Sequence, residues 1–559
     1  MAHTVCTVGL PQAPKDRGYT PTDWSQIDWT TAERIVQSLR FRIFRATQAQ
    51  QWKQVRNLTK LLLRSYSNRL VSVRRITQVN TGRHTSGVDG ACPTTPAQRA
   101  ALVDELRHYQ PWTASPARRV MIPKGNGKWR PLGILTHRDR AMQMVVKNAV
   151  EPRFEAEFEA QSYGFRPGRC CQDAIEDIYV ALNDSAVGRH QYCLDADIHG
   201  AFDHLSHDFI LHRIGPMPGR ELIRQWLKAG YWEQGTLYHT AEGTPQGGVI
   251  SPLLANIALD GLASRLGKGY RVVRYADDIV VMAKNQQAIE QVCPVVSTFL
   301  GERGLALNQD KTHVRHRTEG FDFLGFHIQM RGPKLLITPQ KQQVAALLRD
   351  VRSWLKTHPS VSSEAVIRHL NPLLRGWARY YRHVVSKQTF QQVDYHIWRA
   401  LWHWAKRRHP TQPRRWIYRR YFERGKYGAT FYAESRDRRG QRVRLWLERI
   451  PAIPIVRHVK VKGTASPDNP GLQTYWTTRR AKMGRQRLAK GSKLYQLAEA
   501  QRWQCRGCGQ TLFDGQEVHI HHTIPLHAGG SDEMENLQWL HRACHYQQHR
   551  PEVTSGQSA

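Results

Sequence analysis

The chain has 559 residues, too many for one hydrophobic core and enough for about three or four domains. Lysine and arginine number 82 against 46 acidic residues, a formal charge of +36 that an isolated metabolic enzyme would have to hold against its own repulsion. With 40% hydrophobic residues and 17 tryptophans the chain is no disordered basic tail, so a folded protein with a polyanionic partner is expected, nucleic acid before an anionic membrane surface.

The opening MAHTVCTVGLPQAPKDRGYTP lacks the charged and apolar regions of a secretory signal, and no apolar run approaches the roughly 20 residues of a membrane span. A cytoplasmic, nucleoid-associated location in a bacterium and no membrane partner are expected. Residues 1–80 lead through Trp24 and Trp29 into a stretch whose apolar positions recur at three and four, a basic helical extension. From about residue 81 to 335, short β-branched runs alternate with helical stretches and Gly/Pro punctuation, the texture of an α+β catalytic region.

Within it, RYADDIVVMA places Asp277 and Asp278 at a hairpin tip between two apolar strands. Upstream, YCLDADIHGAFDH is a short strand delivering Asp197, with Asp195 on the same strand face and a rival for the same role by spacing alone. Asp203 and Asp208 read as helix-start charges. A strand-borne carboxylate facing a hairpin-borne pair suits two-metal phosphoryl transfer, in which two Mg²⁺ about 3.5–4 Å apart serve the attacking and leaving oxygens.

Residues 340–430 are expected to be helical again. Pro372 reads as a first-turn residue, with Leu373, Trp377, Tyr380, Tyr381 and Val384 on one face behind it. Between 401 and 430, nine lysines and arginines stand against one acid and interleave with tryptophan and tyrosine, a pattern for phosphate contact and base stacking. Residues 431–494 have a linker texture with the basic run TTRRAKMGRQR.

Six of the nine cysteines (Cys6, Cys92, Cys170, Cys171, Cys193, Cys293) are scattered and read as reduced, mostly buried small residues. The other three lie in the last 55 residues. There CRGC and a later His-x-x-Cys space Cys505, Cys508, His541 and Cys544 for tetrahedral structural zinc, which a module this small needs.

Taken together, GVDG (87–90), VMIPKGNGKWRPLGILTHRDRAMQ (120–143), SYGFRPGRCCQDAI (162–175), DADIHGAFDH (195–204), GTPQGGVISPLLANIALD (243–260), YADD (275–278), LNQDKTHV (307–314) and FDFLGFHI (321–328) run in order. In these stretches the chain resembles reverse transcriptases, and specifically group II intron-encoded proteins. The resemblance implies a multidomain α+β protein: a right-hand polymerase with fingers at 81–190 and palm at 191–338, thumb/maturase helices at 339–430, a basic linker or DNA-binding region at 431–494, and a small zinc-stapled ββα-metal domain at 495–559.

It also implies roles. Asp197 rather than Asp195 matches the metal-ligand position, joined by Asp277, Asp278 and the Ile198 carbonyl. Phe202 occupies the position that blocks a ribose 2′-hydroxyl, while Lys124 and Arg130 flank a turn able to clamp a triphosphate. Gln246 lies near the incoming base or template, and Lys311 resembles a lysine near the leaving pyrophosphate. RGWARYYR and the 398–422 segment resemble the maturase region, so Arg375, Arg407, Arg408, Arg414, Arg415 and Arg419 become candidate RNA contacts. The C-terminal module resembles HNH endonucleases: His522 as general base, Asn536 orienting it, and His521 with His545 holding one Mg²⁺ or other divalent cation, with His519 and His527 as bystanders. His541 stands where many relatives have cysteine, and His521 where many have aspartate. The implied partners are group II intron RNA, target double-stranded DNA and dNTPs. Two other readings fit less of the chain: a splicing cofactor with retired catalytic sites, and a retron or defence-type reverse transcriptase.

Overall fold

A computed structural model of the chain describes residues 22–108, 111–123, 127, 129–183, 190–425, 428–436, 440–486, 488, 492–513 and 516–548. Lys124 and Cys6 lie outside the described residues.

The chain begins with helices α1 (Trp29–Gln48), α2 (Trp52–Arg64) and α3 (Tyr66–Arg74), followed by α4 (Pro96–Glu105). Asp28 caps α1 through the Thr31 amide, and Thr95 with Gln98 forms a capping box on α4. Two strands, β1 (Ala117–Pro123) and β2 (Trp129–Ile134), form a hairpin, and the long helix α5 (His137–Glu157) packs back on α1 to α3. Buried Asn68 seals this packing: its amide donates to the carbonyls of Leu62 and Val145 at 3.0 Å each and accepts from Asn148 at 2.8 Å.

Helix α6 (Cys171–Leu182) precedes β3 (Tyr192–Ala196) and the one-turn helix α7 (Ala201–His204). Strands β4 (Tyr231–Glu233) and β5 (Thr236–Tyr238) then join β1, giving a sheet of order β2-β1-β4-β5. These strands fall in the stretch expected to be palm, yet they complete the fingers sheet. That sheet is thus assembled from two separate chain segments.

The palm sheet consists of β3, β6 (Arg271–Tyr275), β7 (Asp278–Ala283) and β8 (His313–His316), ordered β6-β7-β3-β8 and antiparallel throughout. It is covered on both faces, which explains the unbroken apolar run of β7. Ile279, Val281 and Ala283 face one core, whereas Val280 and Met282 face the other.

A second small sheet, β9 (Phe321–Phe323), β10 (Phe326–Arg331) and β11 (Lys334–Pro339), carries the thumb helices Lys341–Thr357, Ser363–Tyr381 and Lys387–Arg408, then the short helix Arg414–Tyr421. The second of these runs unbroken through Pro372, correcting the first-turn expectation: Ser362 is the cap and Pro372 lies well inside. Leu373 is accordingly exposed, while Tyr381 is buried and Trp377 and Tyr380 pack against the core. Tyr380 and Tyr381 donate to the carbonyls of Leu324 and Gly325 at 2.8 and 3.2 Å, fastening the helix to the β9–β10 turn.

The segment expected to be a linker is largely built structure. Strands β12 (Phe422–Gly425), β13 (Gly428–Arg436) and β14 (Arg442–Trp446) form a sheet on the thumb. A strap follows, seated along α6. Buried Asp173 accepts from His458 Nε2 at 2.8 Å, the Val461 amide at 2.7 Å and Arg479 at 3.0 Å, while Asp177 pairs with Lys460 and Arg271. Cys170, Asp173 and His458 group like metal ligands, but these donors already satisfy the carboxylate. Farther along, Asp468 takes a two-pronged ion pair from Arg40 of α1 at 2.8 and 2.7 Å. Buried Trp476 donates to the Ser466 carbonyl at 2.8 Å.

Last comes the small module: helix Lys493–Ala500, strands β15 (Val518–His522) and β16 (Leu537–His541), and helix Arg542–Gln548. Its core is continuous with that of α1 to α3. Of the scattered cysteines among the described residues, Cys193 is buried and Cys92, Cys170, Cys171 and Cys293 are partly buried, all as free thiols. No helix among the described residues is long and apolar enough to cross a membrane.

Candidate active sites

The β6–β7 hairpin pairs Tyr275 with Asp278 across a two-residue turn of Ala276 and Asp277. Ala276 sits at φ +58°, left-handed geometry suited to such a turn but costing a non-glycine residue roughly 1 kcal/mol or more. The neighbourhood enforces it. Buried Arg274 donates to the Ala276 carbonyl at 3.1 Å and to Asn256 at 2.9 Å, and Asn256 in turn donates to the Gly164 carbonyl at 2.9 Å. Gly164 lies so close that a Cβ there would stand 2.3 Å from the Ala276 nitrogen. The glycine of SYGFRPG is therefore needed for close approach to the YADD turn.

Asp197 follows the end of β3. Its carbonyl accepts from the Asn308 amide at 2.8 Å, and its Oδ2 accepts from Asn308 Nδ2 at 3.2 Å and Lys311 Nζ at 3.0 Å. Ile198 bridges to Leu307 with the ladder bonds carried by its neighbours, so its own carbonyl points the other way.

Asp278 is pushed up to about 7, first by desolvation and then by the charges of Asp277, Asp197 and Asp195, against which Lys311 works. Asp195 is pushed up to about 6, mainly by burial, with Arg315 opposing and Asp197 and Asp322 adding. Asp277, Asp197 and Asp195 thus all bear on Asp278. That donor set fits hard divalent cations.

Around it, Phe202 on α7 is half-buried beside the Asp197 loop. Arg130 Nε donates to Gln246 Oε1 at 2.7 Å, and Gln246 Nε2 reaches Asp203 at 3.5 Å. The fingers hairpin, the TPQGG loop and α7 therefore meet, and Asp203 belongs to this link besides starting a helix.

In the C-terminal module, the ligand atoms of Cys505, Cys508, His541 and Cys544 all lie within 4.8 Å of one another and all four residues are buried. His541 Nε2 donates to the Thr511 carbonyl at 3.1 Å, leaving Nδ1 facing Cys508 Sγ at 3.3 Å as a ligand. Gly507 packs tightly against Cys544, since a Cβ there would stand 2.8 Å from the Cys544 Cβ. The cluster is suited to zinc.

On β15, adjacent His521 and His522 leave opposite faces of the strand. The His521 ring meets that of His545 at 5.3 Å between centroids, a pair able to share a cation. His522 Nε2 bonds Asp532 Oδ1 at 3.0 Å. Asn536, expected to orient that ring, bonds instead to the backbone beside it. Its amide accepts from the Ile524 amide at 2.7 Å and donates to the carbonyls of Ile524 and Ser531 at 2.9 and 2.7 Å, bracing the loop that carries Asp532.

On the thumb, Arg407, Arg408, Arg414, Arg415 and Arg419 are exposed, as is the ring of Trp416. Arg407 also lines a basic cavity of about 420 Å³ with Arg352, Lys356, His396, Arg399 and His403. Arg375 departs from this pattern, because Glu448 holds its guanidinium at 2.8 and 3.1 Å.

Four family models match in chain order: N-terminal domain of reverse transcriptase over residues 24–106, reverse transcriptase (RNA-dependent DNA polymerase) over 122–328, group II intron maturase-specific domain over 344–422, and HNH endonuclease over 505–550. Protein YkfC of Escherichia coli (strain K12) is 36% identical over 308 residues, 46% of this chain and 80% of its own length. Group II intron-encoded protein LtrA of Lactococcus lactis subsp. cremoris is 26% identical over 420 residues, 56% of this chain and 68% of its own. The chain belongs to the group II intron-encoded proteins. A putative COX1/OXI3 intron 2 protein of Saccharomyces cerevisiae is 26% identical over 325 residues, 46% of this chain and 36% of its own.

As a group II intron-encoded protein it combines a reverse transcriptase, a maturase region and an HNH endonuclease. What sequence reasoning missed in this intron protein are the supporting residues: Asp532 behind His522, and the Arg274–Asn256 clamp behind the palm turn. Asp532 sits in GGSDE, where turn chemistry hides its purpose. Arg274 and Asn256 lie within matched motifs but meet only in the fold.

Proposed function

We propose that Asp197, Asp277 and Asp278, with the Ile198 carbonyl, hold two magnesium ions and that this centre copies intron RNA into DNA from dNTPs. The convergence of these carboxylates at the end of β3 and the β6–β7 turn carries the reading. The bound pair supplies activation of the primer 3′-hydroxyl and charge neutralisation at the leaving pyrophosphate. The protein's own groups do the rest. Lys311 Nζ, held at Asp197, is within reach to give a proton to the leaving phosphate. Phe202 presents its ring beside the nucleotide position and favours a sugar without a 2′-hydroxyl. Arg130 and Gln246 close the fingers side, where Arg130 exchanges its amide partner for phosphate oxygens.

In the nuclease module, Asp532 accepts a hydrogen bond from the Nε2–H of His522, which leaves Nδ1 as the bare nitrogen that accepts a proton from water. His521 and His545 hold the cation that supplies charge stabilisation at the cleaved phosphate. Cys505, Cys508, His541 and Cys544 hold structural zinc. The exposed arginines and Trp416 of the thumb bind intron RNA, the nick in target DNA frees a 3′-hydroxyl, and the palm extends it. These substrates meet at the nucleoid.

Replacing Asp277 and Asp278 together by alanine is expected to abolish cDNA synthesis on an exogenous template while intron splicing continues. Loss of splicing with an intact fold would overturn this division of labour.

A further inference from the structure

The zinc cluster is not closed by its own module. Arg74, the last residue of α3, sends Nη2 to Cys544 Sγ at 2.7 Å across a sequence separation of 470 residues. The arginine is 5% exposed, and its guanidinium lies 4.5 Å from the centre of the Trp29 ring. Around this contact, Gln547 donates to the Ile27 carbonyl at 3.2 Å, and Trp24 and Trp29 share one apolar core with Cys505, Cys508 and Cys544. A buried guanidinium is costly without charged acceptors, which here are the Cys544 and Cys508 sulfurs first and Glu33 as a lesser influence. Three thiolates and a neutral imidazole leave a dipositive ion with one surplus negative charge, and Arg74 is placed to neutralise it.

We propose that Arg74 is a positioning residue for the zinc centre, a cross-domain hydrogen-bond donor that neutralises the Cys544 thiolate and locks the nuclease module onto the N-terminal helices of the reverse transcriptase. Metal retention in the last domain then depends on the first, and docking of the first depends on metal in the last. This rests on the reading of the four ligands as a zinc site. Arginine suits the position better than lysine because its planar, weakly hydrated head can donate to sulfur while lying near an indole.

The test uses the full chain. Elemental analysis of the wild-type protein comes first: one zinc per chain supports the underlying reading, and none would overturn that reading rather than the role of Arg74. With zinc present, Arg74→Met is expected to release it to a chromogenic chelator at least tenfold faster than wild type, with Arg74→Lys between the two. In the cobalt-substituted protein, losing the N–H to sulfur bond should move the thiolate-to-cobalt charge-transfer band to lower energy in Arg74→Met. Unchanged release and an unchanged band would overturn the proposal. Should Arg74→Met fail to fold, the wild-type protein carries the test. Stripping its zinc should speed hydrogen exchange in Trp29–Gln48 and Tyr66–Arg74 while β6 and β7 stay protected. Unaltered exchange in those helices after verified zinc loss would equally overturn it.

Discussion

Asp278 carries the electrostatic tension of the palm. Its folded pKa of about 7 lies above the ordinary 3.8, so the folded chain binds a proton that the unfolded chain releases. The metal-free protein therefore loses stability at this group as pH rises from about 4 to about 7, and below that window the penalty vanishes. Because Asp278 keeps one side toward solvent at the turn while the other is packed, screening reduces the effect to on the order of 1 kcal/mol. Asp278→Asn should thus be inactive in DNA synthesis yet melt a degree or two higher than wild type at pH 8 in chelator. The two should converge near pH 4. A variant that melts lower at pH 8 would count against desolvation and carboxylate repulsion as the sources of the shift.

Legibility at the scale of elements followed the locality of the signal. The YADD hairpin was readable because two β-branched runs flank two acids, and the Cys/His quartet because its members come in close pairs. Elements positioned by distant partners were not. Pro372 suggested a helix start, but tertiary packing of Val366, Ile367, Leu370 and Leu374 carries the helix through it. Asn536 was matched by motif order, while its amide is committed to the loop at Ile524 and Ser531. The strap was the largest surprise, since basic and proline-rich composition hid its ties to Asp173, Asp177 and Arg40. Trp476→Ala should cost about 3–5 kcal/mol locally. Proteolysis is then expected to cut the 454–479 stretch well before the palm; equal resistance in variant and wild type would return it to the status of a passive linker.

Across the whole molecule, the +36 charge is partly spent internally, as at Arg40, Arg74, Arg166 and Arg375, and partly displayed. The displayed share on the thumb should govern RNA binding. Affinity should fall by about 0.7–0.9 log units per log unit of salt for each phosphate neutralised. Replacing Arg414, Arg415 and Arg419 together by alanine should lower that slope by about two to three. An unchanged slope would place RNA elsewhere.

The Arg74–Cys544 contact also sets a clock on biosynthesis. Its partners emerge from the ribosome 470 residues apart, about half a minute to a minute and a half at synthesis rates of about 5–20 residues per second. Throughout that interval Trp24, Trp29 and Arg74 must wait with one flank uncovered. A chain cut short before Cys544 would leave that flank of the N-terminal helices uncovered, with apolar indole surface open to water.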